Sequence, residues 1–347
     1  MSSGATPDAL QLVIRRLAMA APVEPTEITA AFDRIMGGEA TPAQIAAVLI
    51  GLRVKGETGA EVAAVVRSLQ AAMVPMHADD PDSLVDTCGT GGGSVQTFNI
   101  STAAALLAAG AGVRIAKHGN RSFTTQCGSA DVLEALGVTI DVPVPVMERA
   151  LRDAGIVFMF APLMHPAMRH VGPVRRELGI PTVMNIVGPL ANPARAGRQV
   201  IGVGDADRVP LLASALAELG SRHALVVHGE GMDEVSPLGP TRVFEVRRGE
   251  IAEWTIDPRD FGYTGSTAAD LAGGLPPANA AAILSVLSGK GNAGASAAVV
   301  LNAAAALYVG GAAASYKEAV AKAEAALRAG AGLAALERLR KAFAAPA

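Results

Sequence analysis

The sequence predicts an α/β protein in which a small helical N-terminal domain precedes a larger α/β domain with a mostly parallel central sheet. Apolar residues recur at helical spacing from about residue 7 to residue 75. From residue 84 onward, short apolar runs alternate with helical segments, which is typical of a largely parallel sheet covered by helices. The chain has 347 residues and is 50% hydrophobic, so it can form two domains with packed cores.

The N-terminal domain is expected to contain amphipathic helices at residues 27–36, 41–54 and 57–73. Thr41 followed by Pro42 begins the second helix, because threonine caps a helix and proline suits its first turn. The pattern changes near Pro81. We therefore expect a helical domain at 1–78 and an α/β domain at 79–347.

The α/β domain is expected to begin with a strand at 84–85 that leads into a glycine loop. Further strands are predicted at 113–116, 156–160, 199–203 and 224–227. Helices are predicted between them at 101–109, 130–136 and 209–219. A charged antiparallel pair is expected at 242–246 and 251–256, and the chain is predicted to be helical again after residue 278.

Composition excludes some classes of function. The net charge of −3 and the pI of about 6.1 argue against a nucleic-acid-binding or membrane-surface protein. Cys88 and Cys127 are too few for a disulfide framework and have no metal-ligand spacing, so a reduced, cytoplasmic setting is expected. The longest uncharged run, 291–316, is rich in Ala and Gly but contains Asn302, so we expect a buried helix rather than a membrane span.

The most informative segment is 86–102, DTCGTGGGSVQTFNIST. Its glycines allow backbone N–H groups to approach a ligand closely. Ser101 or Thr102 could cap the helix that follows, whose free N–H groups favour an anion. The segment is therefore a candidate phosphate or diphosphate site, although a tight turn with an ordinary cap explains a glycine loop equally well.

A basic loop, KHGNRSFTT, follows the next predicted strand at 117–125. Lys117 and Arg121 supply positive charge, and the loop also carries hydroxyl groups. Loops at the carboxyl ends of parallel strands converge on one crevice, so this loop is expected to face the glycine loop. The alternative is a solvated basic turn.

Two adjacent carboxylates, Asp233 and Glu234, follow the predicted strand at 224–227. Mg²⁺ typically takes one or two carboxylates together with waters and ligand phosphate oxygens. Beside two candidate phosphate loops, the pair indicates a Mg²⁺ site, whereas in isolation it would be a solvated acidic turn.

The segment 165–176, HPAMRHVGPVRR, places Arg169, Arg175 and Arg176 on or next to a short helix. An arginine there could grip a carboxylate with two hydrogen bonds, or it could form a surface ion pair with Glu177. The following segment, NIVGPLANP at 185–193, is expected to be a rigid turn because of its Gly and Pro residues.

Taken together, GTGGGSVQTFNIST, KHGNR, the GPLANP turn, the MDE triplet and LNAAAALYVGG resemble the anthranilate phosphoribosyltransferase family from about residue 25 to 340. The resemblance implies a nucleoside phosphorylase/phosphoribosyltransferase type of fold, with the helical domain joined by a hinge to the α/β domain. It implies that 167–184 packs with the N-terminal helices and that the protein is a homodimer. The implied substrates are anthranilate and 5-phosphoribosyl 1-diphosphate, with Mg²⁺ as cofactor.

The resemblance also implies roles for individual residues, none of them a covalent nucleophile. The implied donor-binding residues are Gly89, Gly92, Gly93, Thr97, Asn99, Ile100, Ser101, Thr102, Lys117, His118, Gly119, Asn120, Arg121, Ser122, Phe123, Thr124, Thr125 and Ser129. The implied anthranilate-binding residues are Gly89, Asn120, His165, Arg175, Gly188 and Pro189, with His118 also lining the acceptor path. The implied metal ligands are Ser101, Asp233 and Glu234.

One departure from the family pattern bears on the donor site. The family usually has Asp after GTGG, whereas this chain has Gly93. Loss of that carboxylate is expected to weaken metal-assisted donor binding, unless Ser94 or water substitutes for it.

Three other functions compete with this interpretation. A pyrimidine nucleoside phosphorylase would share the architecture but use inorganic phosphate and need no acidic pair. A catalytically silent relative that binds nucleic acid would need a basic groove. A plain phosphate-binding protein would be favoured only by Gly93.

Overall fold

The helical unit begins the fold in the computed structural model, which describes residues 8–122 and 126–344. Its helices are α1 (Ala9–Ala18), α2 (Pro25–Met36), α3 (Pro42–Lys55) and α4 (Gly59–Ala71). Thr41 and Thr58 cap α3 and α4, and in both cases the residue three positions later completes a capping box. The three predicted helices of this region are confirmed.

A seven-stranded sheet forms the centre of the second unit. Its strands are β1 (Val85–Gly89), β2 (Ile115–Gly119), β3 (Ile156–Phe160), β4 (Arg198–Gly202), β5 (His223–Gly229), β6 (Thr241–Arg247) and β7 (Glu250–Ile256). They lie in the order β3-β2-β1-β4-β5-β6-β7, and every pair from β3 to β5 is parallel. The β5–β6 and β6–β7 pairs are antiparallel. The predicted mostly parallel sheet and its antiparallel edge are confirmed.

Helices cover the sheet. They are α5 (Ile100–Gly110), α6 (Ser129–Ala135), α7 (Val144–Ala154), α8 (Ala161–Met164), α9 (Met168–Leu178), α10 (Val209–Glu218), α11 (Pro276–Leu287), α12 (Ala293–Val309), α13 (Tyr316–Arg328) and α14 (Ala331–Ala344). The buried helix expected in 291–316 is α12, which packs against α5, α13 and the strands β1, β4 and β5. Among the described residues, no helix is long and apolar enough to cross a membrane.

Three predicted element boundaries are wrong for identifiable reasons. The strand expected at 113–116 is β2 (Ile115–Gly119), so Lys117, His118 and Gly119, which were expected to begin the basic loop, pair with β3 instead. The strand expected at 84–85 continues to Gly89, because each residue from Val85 to Gly89 pairs with a residue of β4. The helix α5 begins at Ile100 with Asn99 as its N-cap residue, so Ser101 and Thr102 lie in its first turn and do not cap it.

The helical unit packs against the second unit through α4, which lies on α10, while α9 lies on α2 and α3. Val171 and Val174 of α9 belong to the same apolar cluster as residues of α1 to α4. The division between residues 78 and 79, with 167–184 grouped with the helical domain, stays a prediction.

The contact between α4 and α10 depends on Gly59. A Cβ atom there would lie 2.6 Å from the Cβ of Ser214, which is closer than real carbon atoms approach. We predict that Gly59→Ala lowers the free energy of unfolding by about 1–3 kcal/mol, because it overpacks this interface. Urea denaturation of the purified variant measures the change.

Exchanging the two side chains provides the control. Gly59→Ala with Ser214→Gly moves the Cβ atom from one helix to the other and removes the overlap. The free energy of unfolding of the double variant should be higher than the value expected if the effects of the two single substitutions simply added. Simple additivity would show that the helices do not meet at this point.

Candidate active site

Three loops meet at the carboxyl end of the parallel sheet. The glycine loop, 90–99, follows β1, and the acidic loop, 230–240, follows β5. The basic loop follows β2, and its described residues are 120–122 and 126–128. Because β1 is bordered by β2 and β4, and β4 by β5, the three loops leave the sheet at the same edge. The expected convergence of the two phosphate-loop candidates and the acidic pair is therefore present.

The glycine loop packs backbone against backbone on its neighbours. A Cβ atom at Gly93 would lie 2.6 Å from the carbonyl oxygen of Gly231 in the acidic loop. A Cβ atom at Gly204, just after β4, would lie 2.6 Å from the carbonyl oxygen of Gly91. These loops can approach so closely only because the residues have no side chains.

This packing gives a physical reason for the departure at Gly93. An aspartate there would need its Cβ atom where the Gly231 carbonyl already lies. The present arrangement of the glycine and acidic loops therefore excludes an Asp side chain at position 93 unless the two backbones move apart.

The acidic pair is bonded to the glycine loop and to α5. The Gly91 N–H donates to Asp233 Oδ2 at 2.9 Å, and the Ser101 N–H donates to Glu234 Oε1 at 3.1 Å. The anion predicted at the start of α5 is thus supplied by the chain itself. Burial raises the pKa of Asp233, and burial together with the neighbouring Asp233 charge raises the pKa of Glu234.

Lys117 lies beneath these loops rather than in solvent. Its Nζ donates to the Thr87 carbonyl and lies 3.4 Å from Ser101 Oγ. Burial lowers its pKa, while nearby carboxylates, with Asp86 foremost, act in the opposite direction. The lysine therefore brings positive charge to the same place as the acidic pair and Ser101.

Two polar residues that sequence reasoning missed hold the loops in place. Asp86 is fully buried and accepts hydrogen bonds from the His118 N–H at 3.1 Å and from Asn192 Nδ2 at 2.7 Å. Asn279 donates to Asn99 Oδ1 at 2.9 Å. The only sequence signal for Asp86 is its place at the start of DTCGTGGG, and Asn279 has none because its partner lies 180 residues away.

The basic loop is organised around Asp131. The N–H groups of Ser122 and Gly128 donate to Asp131 Oδ2 at 3.2 and 2.8 Å. Arg121 is exposed and pairs with Asp131 and with Glu134 at 2.8 and 2.6 Å. Its guanidinium thus contacts the acids of α6, and its role as a donor ligand stays a prediction.

The remaining predicted donor residues lie at different depths. Ile100 and Thr102 are buried, and their contact with the donor stays a prediction. Thr97 forms a β-bridge with Ala272, and Ser129 Oγ donates to the Asn120 carbonyl at 3.2 Å. Gly92 is exposed, and Gly119 ends β2 beside the ring of Phe158. Phe123, Thr124 and Thr125 lie outside the described residues.

The acceptor-side candidates include two buried imidazoles. The rings of His118 and His165 lie 4.9 Å apart between centroids. Burial lowers the pKa of His118 to about 3 and that of His165 to about 4, so both rings are neutral near pH 7. Gly188 and Pro189 form a 3₁₀ turn whose Pro189 carbonyl is fixed by Gln199 Nε2 at 2.8 Å.

Arg175 is a half-buried cation on α9. Within 8–122 and 126–344, no acidic side chain forms an ion pair with it, so the surface pair with Glu177 is not formed. Burial lowers the pKa of its guanidinium, which shows that its charge is poorly solvated. A ligand carboxylate would supply the missing counter-charge.

The acidic pair suits a hard divalent cation. No group of three or more His, Cys, Asp or Glu side chains that could hold a metal occurs in the described part of the chain. Two crowded, desolvated carboxylates are nevertheless the donor set from which a Mg²⁺ site shared with a phosphate ligand is built. A cation there would favour the ionised form of Glu234, whose pKa is raised by burial and by the neighbouring Asp233 charge.

Two family models match the chain. The α/β domain of a glycosyl transferase family matches residues 81–333, and the helical bundle domain of a glycosyl transferase family matches residues 11–73.

Two relatives that match most of the chain have the same name. Anthranilate phosphoribosyltransferase from Roseiflexus castenholzii is 50% identical over 311 residues, covering 89% of this chain and 91% of that protein. The enzyme of this name from Rubrobacter xylanophilus is 48% identical over 330 residues, covering 95% and 96%.

Solved structures of anthranilate phosphoribosyltransferases have the same fold as this chain. The chain superposes on anthranilate phosphoribosyltransferase from Thermus thermophilus with a TM-score of 0.91 and 40% identity, covering 97% of this chain and 100% of that one. The Saccharomyces cerevisiae enzyme in complex with PRPP and Mg gives a TM-score of 0.88 and 27% identity, covering 97% and 98%. With its glycine, basic and acidic loops brought together as described, the chain belongs to the anthranilate phosphoribosyltransferase family.

Proposed function

We propose that the protein transfers the phosphoribosyl group of 5-phosphoribosyl 1-diphosphate to the amine of anthranilate, releasing diphosphate, in tryptophan biosynthesis. The observation that carries this proposal is that the acidic loop is hydrogen-bonded to backbone amides of the glycine loop and of α5 beside Lys117. Backbone N–H groups, carboxylates that can hold a cation, and a lysine are groups suited to binding a diphosphate, and they lie together here.

The reaction is a substitution at the anomeric carbon of the ribose. The amine nitrogen forms a bond to that carbon, the bond to the diphosphate oxygen breaks, and the amine loses a proton. Positive charge develops on the sugar in an oxocarbenium-like transition state. Lys117 and the N–H groups of the glycine loop would stabilise the departing diphosphate.

The acceptor side of the site avoids competing charge. Aromatic amines are neutral near pH 7, so no strong base has to act before attack. The lowered pKa values of His118 and His165 keep their rings neutral. Neutral rings add no positive charge that would oppose the developing charge on the sugar. Orientation of the two substrates would then supply most of the rate enhancement.

Mg²⁺ would be held by Asp233 and Glu234, with the Ser101 hydroxyl close by. When bound, the ion neutralises the charge that develops on the diphosphate. The Saccharomyces cerevisiae enzyme was solved in complex with PRPP and Mg, which supports the use of Mg²⁺.

Assembly and location are also part of the proposal. We propose a homodimer, as the family resemblance implies, and a cytoplasmic setting, as the small number of cysteines indicates. Sedimentation equilibrium at micromolar concentration tests the dimer, and a monomer throughout would contradict it.

The decisive test of the function is a fluorescence assay. The purified protein is mixed with 5-phosphoribosyl 1-diphosphate, Mg²⁺ and anthranilate, and loss of anthranilate fluorescence is followed. Loss that requires both the donor and Mg²⁺ is expected. A folded protein that consumes no anthranilate would refute the proposal.

Parallel reactions test the competing functions. Cleavage of a pyrimidine nucleoside by inorganic phosphate would indicate a phosphorylase. Retardation of DNA in a gel by a catalytically silent protein would indicate a nucleic-acid-binding relative. Neither activity is expected here.

Arg175→Ala is predicted to raise the KM for anthranilate about ten-fold or more, because a charged hydrogen bond to a carboxylate contributes about 1.5–3 kcal/mol. The KM for the phosphoribosyl donor should stay unchanged. Steady-state kinetics with each substrate varied in turn measures both constants.

Arg176→Ala is the matched control, since Arg176 is the next residue on α9 and is exposed. It should leave both KM values unchanged. Equal effects of the two substitutions, or none from Arg175→Ala, would show that Arg175 does not bind the carboxylate.

Metal dependence is predicted to vary with pH through Glu234. Its raised pKa means that the folded protein keeps this proton at a higher pH than a free glutamate does. Mg²⁺ must displace the proton, so the Mg²⁺ concentration for half-maximal activity should fall as pH rises through this titration.

Glu234→Gln should require more Mg²⁺ and lose that pH dependence. Glu57→Gln serves as the control. Glu57 lies between α3 and α4 and pairs with Arg208, which directly precedes α10. A pH dependence that persists in Glu234→Gln would assign it to another group.

A further inference from the structure

We propose that Asn302 is a positioning residue for the acidic loop: it fixes the backbone that carries Asp233 and Glu234 and thereby sets the affinity for the Mg²⁺–diphosphate part of the donor. This inference rests on the proposed function. Asn302 lies in the LNAAAALYVGG segment of α12, 67 residues from its partner in the loop.

The side-chain amide of Asn302 forms two hydrogen bonds with the backbone of one residue, Val235. The Val235 N–H donates to Asn302 Oδ1 at 2.9 Å, and Asn302 Nδ2 donates to the Val235 carbonyl at 2.8 Å. Nδ2 also donates to the Ala298 carbonyl at 2.9 Å within α12. Both backbone polar groups of Val235 are thus bonded to a single rigid side chain.

The position of this amide in α12 is unusual. The buried residues of the helix are otherwise Ala, Gly, Val and Leu, and Asn302 itself is only 3% exposed. Burying an amide is unfavourable unless its hydrogen bonds are made, whereas an apolar residue would pack there without any partner. The Asn302 amide is therefore explained by its hydrogen bonds to the acidic loop, because the packing of the helix does not require a polar residue at this position.

Val235 directly follows the acidic pair. Fixing its peptide groups fixes the end of the segment from which Glu234 reaches the Ser101 N–H and Asp233 reaches the Gly91 N–H. Asn302, Glu234 and Ser101 also line one cavity of about 10 Å³. That is about the smallest space that holds a single water, so the loop has little room to shift while Asn302 is in place.

The proposal differs from a purely structural role in what it predicts. A residue that only stabilises α12 would change the unfolding temperature without changing the ligand constants. A residue that positions the acidic pair would change donor binding specifically in the presence of Mg²⁺. Partners that orient metal ligands typically alter metal affinity by about 10–100-fold when they are removed.

The test is calorimetric titration of 5-phosphoribosyl 1-diphosphate into wild type and Asn302→Ala, with and without Mg²⁺ and without anthranilate. We expect Asn302→Ala to weaken binding about ten-fold in Mg²⁺, and to change binding without Mg²⁺ much less. The KM for anthranilate should be unchanged. Asn302→Ser, which replaces the amide by a single hydroxyl group, takes the place of Asn302→Ala in every titration if the latter does not fold.

Leu307→Ala is the matched control, because Leu307 is fully buried on the same helix and its truncation lowers the unfolding temperature. Its Mg²⁺-dependent binding should equal that of wild type. The proposal is overturned if the Asn302 variants bind the donor in Mg²⁺ as tightly as wild type does. A wild-type protein that binds no donor at all would instead overturn the proposed function.

Discussion

The acidic loop depends on its hydrogen bonds to backbone amides of the glycine loop and α5, and the rest of the site depends on this contact. Asp233 accepts from the Gly91 N–H and Glu234 from the Ser101 N–H, which places two carboxylates beside the buried Lys117. The opposed charges have little access to water, so each strongly affects the others. A cation and a polyphosphate can enter such a site by replacing interactions that the chain already makes with itself.

The close approach that these bonds require explains the glycine pattern. A Cβ atom at Gly89, the last residue of β1, would lie only 2.7 Å from Asp233 Oδ2, and a Cβ atom at Gly93 would lie 2.6 Å from the Gly231 carbonyl oxygen. The family's usual Asp would not fit at position 93 in this arrangement. The presence of Gly93 instead of Asp is therefore explained by backbone packing, and an Asp at this position would require the acidic loop to move.

The sequence predicted what is encoded locally. The alternation of strands and helices, the glycine loop and the adjacent carboxylates all follow from short patterns. It failed where a distant residue decides the outcome. Ser101 does not cap α5 because the helix begins one residue earlier, with Asn99 as its N-cap residue, and the Ser101 N–H instead donates to Glu234, 133 residues away. Asn302 looked like one polar residue in an alanine-rich helix, because nothing nearby in the chain reveals its bond to Val235.

The most direct test of the central claim, that the three loops form one donor site, is a crystal structure of the protein with 5-phosphoribosyl 1-diphosphate and Mg²⁺. We predict that the diphosphate contacts backbone N–H groups of 91–93 and that a Mg²⁺ ion joins its oxygens to Asp233 or Glu234. A donor bound elsewhere, with the acidic pair still bonded only to Gly91 and Ser101, would contradict the claim.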